Sequence, residues 1–140
     1  MKVVYQLLLV LGFIAILAAC DDTPPTPATV AELCTTIESN TVVEVQGHFG
    51  LPLAMTCQEG ECRINFGNGE DGIMATVRAS DQPRENMMQY PPEQYRLDDL
   101  ILVMDDGAMA DHNTTLLVRD RVRQPSANNC YLDVHSLQRP

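Results

Sequence analysis

The chain has 140 residues and a formal net charge of −10, with 19 acidic side chains against nine basic ones. That balance counts against nucleic acid as a partner and against docking on anionic lipid by charge, both of which usually rely on a basic face. The length suits a single domain, and with no tryptophan and three phenylalanines its core must come from Val, Ile, Leu and Met.

The chain opens on Met1 and Lys2, followed by an apolar run from Leu7 to Ala19. A permanent bilayer span needs roughly 20 apolar residues and a signal-peptide core about 7–15. The run is therefore short for a span. It ends on Leu17-Ala18-Ala19-Cys20, which resembles the lipobox of bacterial lipoprotein precursors. The resemblance implies a diacylglyceryl thioether on Cys20 and cleavage between Ala19 and Cys20. It also implies a protein held on the extracytoplasmic face of the cell membrane, with that lipid as its one covalent group and no cofactor. Two or more acyl chains anchor stably where one does so marginally. In diderm lipoproteins an aspartate after the lipidated cysteine, here Asp21, resembles an inner-membrane retention signal. The implied organisation is a leader over 1–19, a proline-rich linker over 20–28 and a domain over 29–140.

Removing the leader takes away Lys2, the only lysine, and leaves a still more acidic body. An exported address changes how Cys34, Cys57, Cys62 and Cys130 read. Four cysteines in an oxidising compartment favour disulfides, with three possible connectivities. Cys57 and Cys62 flank Gln58-Glu59-Gly60-Glu61, a loop that suits a hairpin and puts its flanks within bridging reach. Cys34 and Cys130 are then left as partners. Glu59 and Glu61 argue against a reactive thiol, which needs nearby positive charge. The spacing also lacks the paired knuckles of a four-cysteine zinc site.

Along the body, "DDTPPTPA" (21–28) reads as a stiff extended spacer. Thr29 and Glu32 form a capping-box pattern ahead of Val30, Leu33, Cys34 and Ile37, one apolar helical face ending near Asn40. The period then changes to two. Val43, Val45, Gly47 and Phe49 alternate with Val42, Glu44, Gln46 and His48. Cys62, Ile64 and Phe66 alternate with Glu61, Arg63 and Asn65, and a Gly/Asn turn leads into "IMATVR". Residues 79–92 read as a polar loop, Pro92 to Asp99 as one or two helical turns, and Leu100 to Met104 as a strand. "TLLVRDRVR" puts Leu116, Val118 and Val122 on one face and Arg119, Arg121 and Arg123 on the other. "CYLDVHSL" closes the domain with Cys130, Leu132 and Val134 inward.

Five or six short strands with an insertion before the last ones predict a mainly β domain, a small barrel carrying a short N-terminal helix. The strand order and "VVEVQGHF", with a glycine where the first strand must bend, resemble the OB-fold. "LLVRDRVR" resembles the fourth strand of small exported OB domains and of tRNA-anticodon-binding-like modules. It departs from them in carrying Asp120 where a bend glycine is often found. A β-sandwich is the alternative architecture.

Candidate chemistry is thin. His48, His112 and His135 sit on different elements. Asp105, Asp106 and Asp111 could offer oxygens to a cation, but the run lacks the alternating ligands and closing glutamate of an EF-hand. No Gly-x-Ser-x-Gly elbow and no phosphate loop occurs, and Met87-Met88 reads as core filler. The row Arg119, Arg121, Arg123 is the one concentration of positive charge, able to grip a carboxylate-rich partner or to pair with the chain's own Glu44 and Asp133. The expectation is a non-enzymatic, lipid-anchored envelope module that binds a protein or oligosaccharide. A small-ligand or cation binder is the alternative, and an envelope hydrolase or redox enzyme a more distant one.

Overall fold

The computed structural model describes residues 23–140; the expected leader over 1–19, the expected lipid site Cys20 and Asp21 lie outside the described residues. The described chain is mainly β, with strands β1 (Thr26–Pro27), β2 (Val42–Gly50), β3 (Thr56–Gln58), β4 (Glu61–Gly67), β5 (Gly72–Ser80), β6 (Met87–Gln89), β7 (Leu102–Val103), β8 (Met109–Ala110), β9 (Leu116–Ser126) and β10 (Asn129–Val134).

The five long strands close on one another. β2 pairs antiparallel with β9 along Val42–Gly47 and with β4 along His48–Gly50. β4 pairs with β5, β5 runs parallel to β10, and β10 returns antiparallel to β9. The result is a barrel-like ring in which every long strand is paired on both sides, and it replaces the two separate sheets that a sandwich would need.

The inward face is the one the alternation predicts. Val43, Val45, Phe49, Ile64, Phe66, Val77, Val118, Val122, Leu132 and Val134 are buried, and Phe49 and Phe66 meet with ring centroids 4.8 Å apart. Gly47 stands where β2 exchanges one neighbour for the other. A Cβ there would lie 2.7 Å from Phe66 Cζ and 2.8 Å from the Gly67 carbonyl oxygen, so the glycine makes room for an aromatic ring and an adjacent backbone.

Four segments differ from their expected form, one of them within residues 79–92. The capping box forms, with Glu32 Oε2 accepting from the Thr29 backbone N–H at 2.8 Å and from its hydroxyl at 2.9 Å. Only a 3-10 turn, Val30–Glu32, follows it, and the expected helix to Asn40 does not continue. Thr35, Thr36 and Ile37 are β-branched, and the backbone N–H groups of all three converge on the Glu32 carbonyl instead of climbing a helical ladder. The second expected helical stretch is likewise one 3-10 turn, Leu97–Asp99. Within the proline-rich run, Thr26 and Pro27 pair parallel with Val43 and Glu44, and the Ala28 N–H bonds to the Glu44 carbonyl at 3.0 Å. Proline is tolerated there because β1 is a two-residue edge strand.

The excursion between β5 and β9 covers one mouth of the ring. β6 pairs parallel with β5, β7 and β8 add to it, and Met88 of β6, Leu102 of β7 and the flanking Leu100 and Met104 are buried in the core. Met88 is thus core, and the segment expected to be a polar loop contains a strand. Both disulfides form with the expected partners. Cys57 and Cys62 are directly paired across β3 and β4, with Cα atoms 4.0 Å apart, and Cys34 and Cys130 are joined at 5.9 Å.

Candidate functional site

The arginine row points outward as expected, and the chain itself occupies it. Arg119 pairs with Glu44 on the neighbouring strand. Arg121 donates to the Asn40 carbonyl at 2.8 Å. Arg123 binds Asp133 at 3.1 Å through Nε and the Asn40 side-chain oxygen at 2.6 Å through a terminal nitrogen. The row fastens β9 to β2, β10 and the segment before β2, and as a grip for an outside carboxylate it is already taken.

The aspartates of the 105–111 run shape their own turns. Asp106 accepts from the Ala108 N–H at 2.9 Å and from Arg139 at 3.1 Å, and both hold its carboxyl below its ordinary range. Asp111 accepts from the Thr114 hydroxyl at 2.8 Å and the Asn113 N–H at 3.0 Å, with the same direction of shift. Asp105 is tied through its backbone N–H to the Leu137 carbonyl. Among the described residues no three His, Cys, Asp or Glu side chains are grouped to hold a metal ion. The histidines stay apart: His48 meets Thr115, His112 lies 3.6 Å from Asp98, and His135 lies 3.1 Å from Asp133.

What the ring does bring together is an open groove of about 610 Å³ on its outer surface, where β3, β4, β5 and β10 lie side by side. Its floor follows from register. Thr56 stands opposite Arg63, Arg63 opposite Thr76, and Thr76 opposite Asp133, so one row crosses four strands. Outward positions on strands recur every second residue. Tyr131 and His135 therefore flank Asp133 on the same face, and Gln58 and Glu61 close the β3–β4 wall.

The groove has a fixed side and an uncommitted side. Asp133 is held by Arg123, by His135 and by the Thr76 hydroxyl at 3.4 Å. Asp120, half-buried on β9, accepts from the backbone N–H groups of His135 and Ser136, both at 2.8 Å, and so fixes the chain as it leaves β10. Burial pushes the Asp120 carboxyl above its ordinary range, against the opposing pull of those two hydrogen bonds. Among the described residues, the side chains of Arg63, Gln58, Glu61 and Tyr131 make no hydrogen bond or ion pair within the protein. Sequence reasoning put Arg63 on an outward face but missed the groove, because the parallel β5–β10 pairing that assembles it joins segments far apart in the chain.

A second hollow of about 340 Å³ lies beside the first strand, lined by Pro27, Thr29, Glu44 and Gln46 among others. It offers one carboxylate, already paired with Arg119.

No known family model matches this chain, and no curated protein matches it. Among solved structures it is similar to a protein from Leishmania major Friedlin provisionally described as an aspartyl-tRNA synthetase, at 12% identity and a TM-score of 0.47. That likeness covers 86% of this chain but only 21% of the other protein.

Proposed function

We propose that this chain is a lipid-anchored, non-enzymatic binding module of the cell envelope, whose OB-like ring presents the outer β3–β4–β5–β10 groove to a protein or oligosaccharide partner. The observation that carries the binding role is a concave site with one pinned wall and one wall of uncommitted polar side chains. The pinned wall is preorganised and loses little entropy when a ligand arrives, while the uncommitted groups supply unspent hydrogen-bonding capacity.

The export reading is supported by the apolar run ending at Leu17-Ala18-Ala19-Cys20. It is also supported by two disulfides, which persist in oxidising compartments. Among the described residues no helix is long and apolar enough to cross a membrane. Attachment in this proposal is through the diacylglyceryl group on Cys20, on the strength of its resemblance to a lipobox cysteine. The strand order of the ring, with its one parallel closure between β5 and β10, favours the OB-like description over other small barrels. In a cell with two membranes, Asp21 would keep the protein on the periplasmic face of the inner one.

The test has two arms. Metabolic labelling with an alkynyl palmitate should tag the wild-type protein and not Cys20→Ser, and detergent partition should follow the label. Cross-linking in intact cells, with capture through the domain, should return a reproducible protein or glycan conjugate that diminishes in Cys20→Ser. An unlabelled protein would end the anchor reading. Capture of nothing but the protein itself would end the adaptor reading.

A further inference from the structure

We infer that the occupant of the β3–β4–β5–β10 groove is a short, uncharged oligosaccharide, an inference that rests on the binding-module reading above. A protein interface has a desolvated apolar core at its centre. The row that forms this floor is Thr56, Arg63, Thr76 and Asp133, polar at every strand. The exposed apolar side chain beside it, Met74, stands opposite Tyr131 at the groove's edge and is not among its lining residues.

Hydrogen-bonding capacity narrows the class further. Arg63 offers donors only, Glu61 acceptors only, and Gln58 and the Tyr131 hydroxyl both. An anion would satisfy Arg63 and be repelled by Glu59 and Glu61. A cation would reverse those relations. Sugar hydroxyls donate and accept from the same atom, so a saccharide can engage every member of a mixed set at once. Tyr131 adds an aromatic face for the apolar side of a pyranose ring. The charge agrees: Asp133 is already paired with Arg123, leaving Arg63 against Glu59 and Glu61. Anionic glycans and nucleotides are disfavoured on that balance, and further by the acidity of the whole chain. At about 610 Å³ the groove is within the usual range for small-ligand sites, roughly 300–1,000 Å³.

The experiment is a titration of the full-length, oxidised, ¹⁵N-labelled protein in dodecylphosphocholine micelles, a detergent without a sugar headgroup. The probes are cellotetraose, maltotetraose, mannotetraose and chitotetraose, with tetragalacturonate as the charged comparison. The expected result is a saturable shift from at least one neutral tetrasaccharide, confined to the β3–β4 hairpin, Thr76 and residues 131–135, with tetragalacturonate weaker. Arg63→Ala should weaken that binding about ten-fold or more while leaving the melting temperature unchanged. Three results overturn the inference: no saturable shift from any of the four neutral probes, shifts mapping elsewhere, or tighter binding of the charged tetramer. The same protein in the cellular cross-linking assay separates the two failures. A protein cross-linked to this face while every saccharide fails leaves the groove as the site and removes the ligand class. Empty capture together with silent titrations removes both.

Discussion

Replacing Gly47 by alanine adds one methyl group, and the structure specifies what it meets. The new Cβ would stand 2.7 Å from Phe66 Cζ, 3.0 Å from Phe66 Cε2 and 2.8 Å from the Gly67 carbonyl oxygen. Neither neighbour can yield easily. Phe66 is fully buried against Phe49, and Gly67 is fixed by its register with His48 on β2. Overpacking of this kind costs about 1–3 kcal/mol. The loss of glycine's unfolded-state freedom returns about 0.4–1 kcal/mol where the backbone is compatible, and Gly47 does not have a left-handed φ. The net expectation is a destabilisation of about 1–2 kcal/mol, or a fall in melting temperature of roughly 4–10 °C for a domain of this size. Circular dichroism melts of the oxidised protein measure it, with Gly50→Ala as the internal control. That second methyl would meet only Leu97 Cδ1 at 3.7 Å, an ordinary contact, and should leave the melt within about 2 °C. Should Gly47→Ala melt together with Gly50→Ala, the ring is not closed at this point as described, and the role given to the bend glycine is wrong.

The two bridges should separate in denaturant: a Cys34→Ser/Cys130→Ser pair is expected to cost about 4–5 kcal/mol and a Cys57→Ser/Cys62→Ser pair about 2, because loop-closure entropy grows with the length enclosed. Equal losses in urea melts would contradict that account. Asp120→Asn preserves an acceptor for the His135 and Ser136 N–H groups and removes a buried charge. Because the folded carboxyl titrates above its unfolded value, the wild type carries a penalty that is absent below the unfolded pKa and complete above the folded one. The variant should therefore be the more stable at pH 7, with the advantage shrinking as pH falls through the carboxylate range; a pH-independent difference would refute the assignment. Glu32, Asp106 and Asp111 are held low, so the stability they supply is present above their unfolded pKa values and is lost as acid protonates them. Asn40 has a left-handed backbone (φ 70°) and supplies one acceptor to Arg121, through its carbonyl, and one to Arg123, through its side chain. Asn40→Ala should lower the melting temperature more than Asn40→Gly, which relieves the backbone while losing the same side chain.

Most of the ring was legible in the sequence because inward and outward positions alternate along β2 and β4 and through the central parts of β9 and β10. The internal partners of the arginine row were legible too, since Glu44 and Asp133 stand on outward positions of strands expected to be near β9. Elements whose identity depends on contacts made elsewhere were not. "TP" has no strand pattern and becomes β1 only because β2 leaves an edge beside Val43 and Glu44. The apolar stripe from Val30 to Ile37 has helical spacing, yet Leu33 and Cys34 are already committed to the core and to Cys130, so one turn serves where a helix was expected. Met87-Met88-Gln89 is too short to show a period, and its strand is templated by Ala79 and Ser80.

The groove belongs to this last class, and the reason lies in the topology. Antiparallel neighbours such as β3 and β4 are announced by the short turn between them. The parallel β5–β10 pair is announced by nothing local, since the segments it joins are separated by the whole excursion across the mouth of the ring. Yet that pairing sets Thr76 beside Asp133, and through it carries the row from Arg63 to the anchored end of β10. Asp120 gains its purpose from the same closure. Where a glycine would merely let β9 bend, the carboxylate takes the two backbone donors just beyond β10 and holds His135 at the rim of the groove. The departure from the resembled strand pattern and the site that pattern does not predict thus have one structural origin. The closing strand is pinned by half-buried and paired side chains on its β9 side, and its β5 side continues into the polar row of the groove.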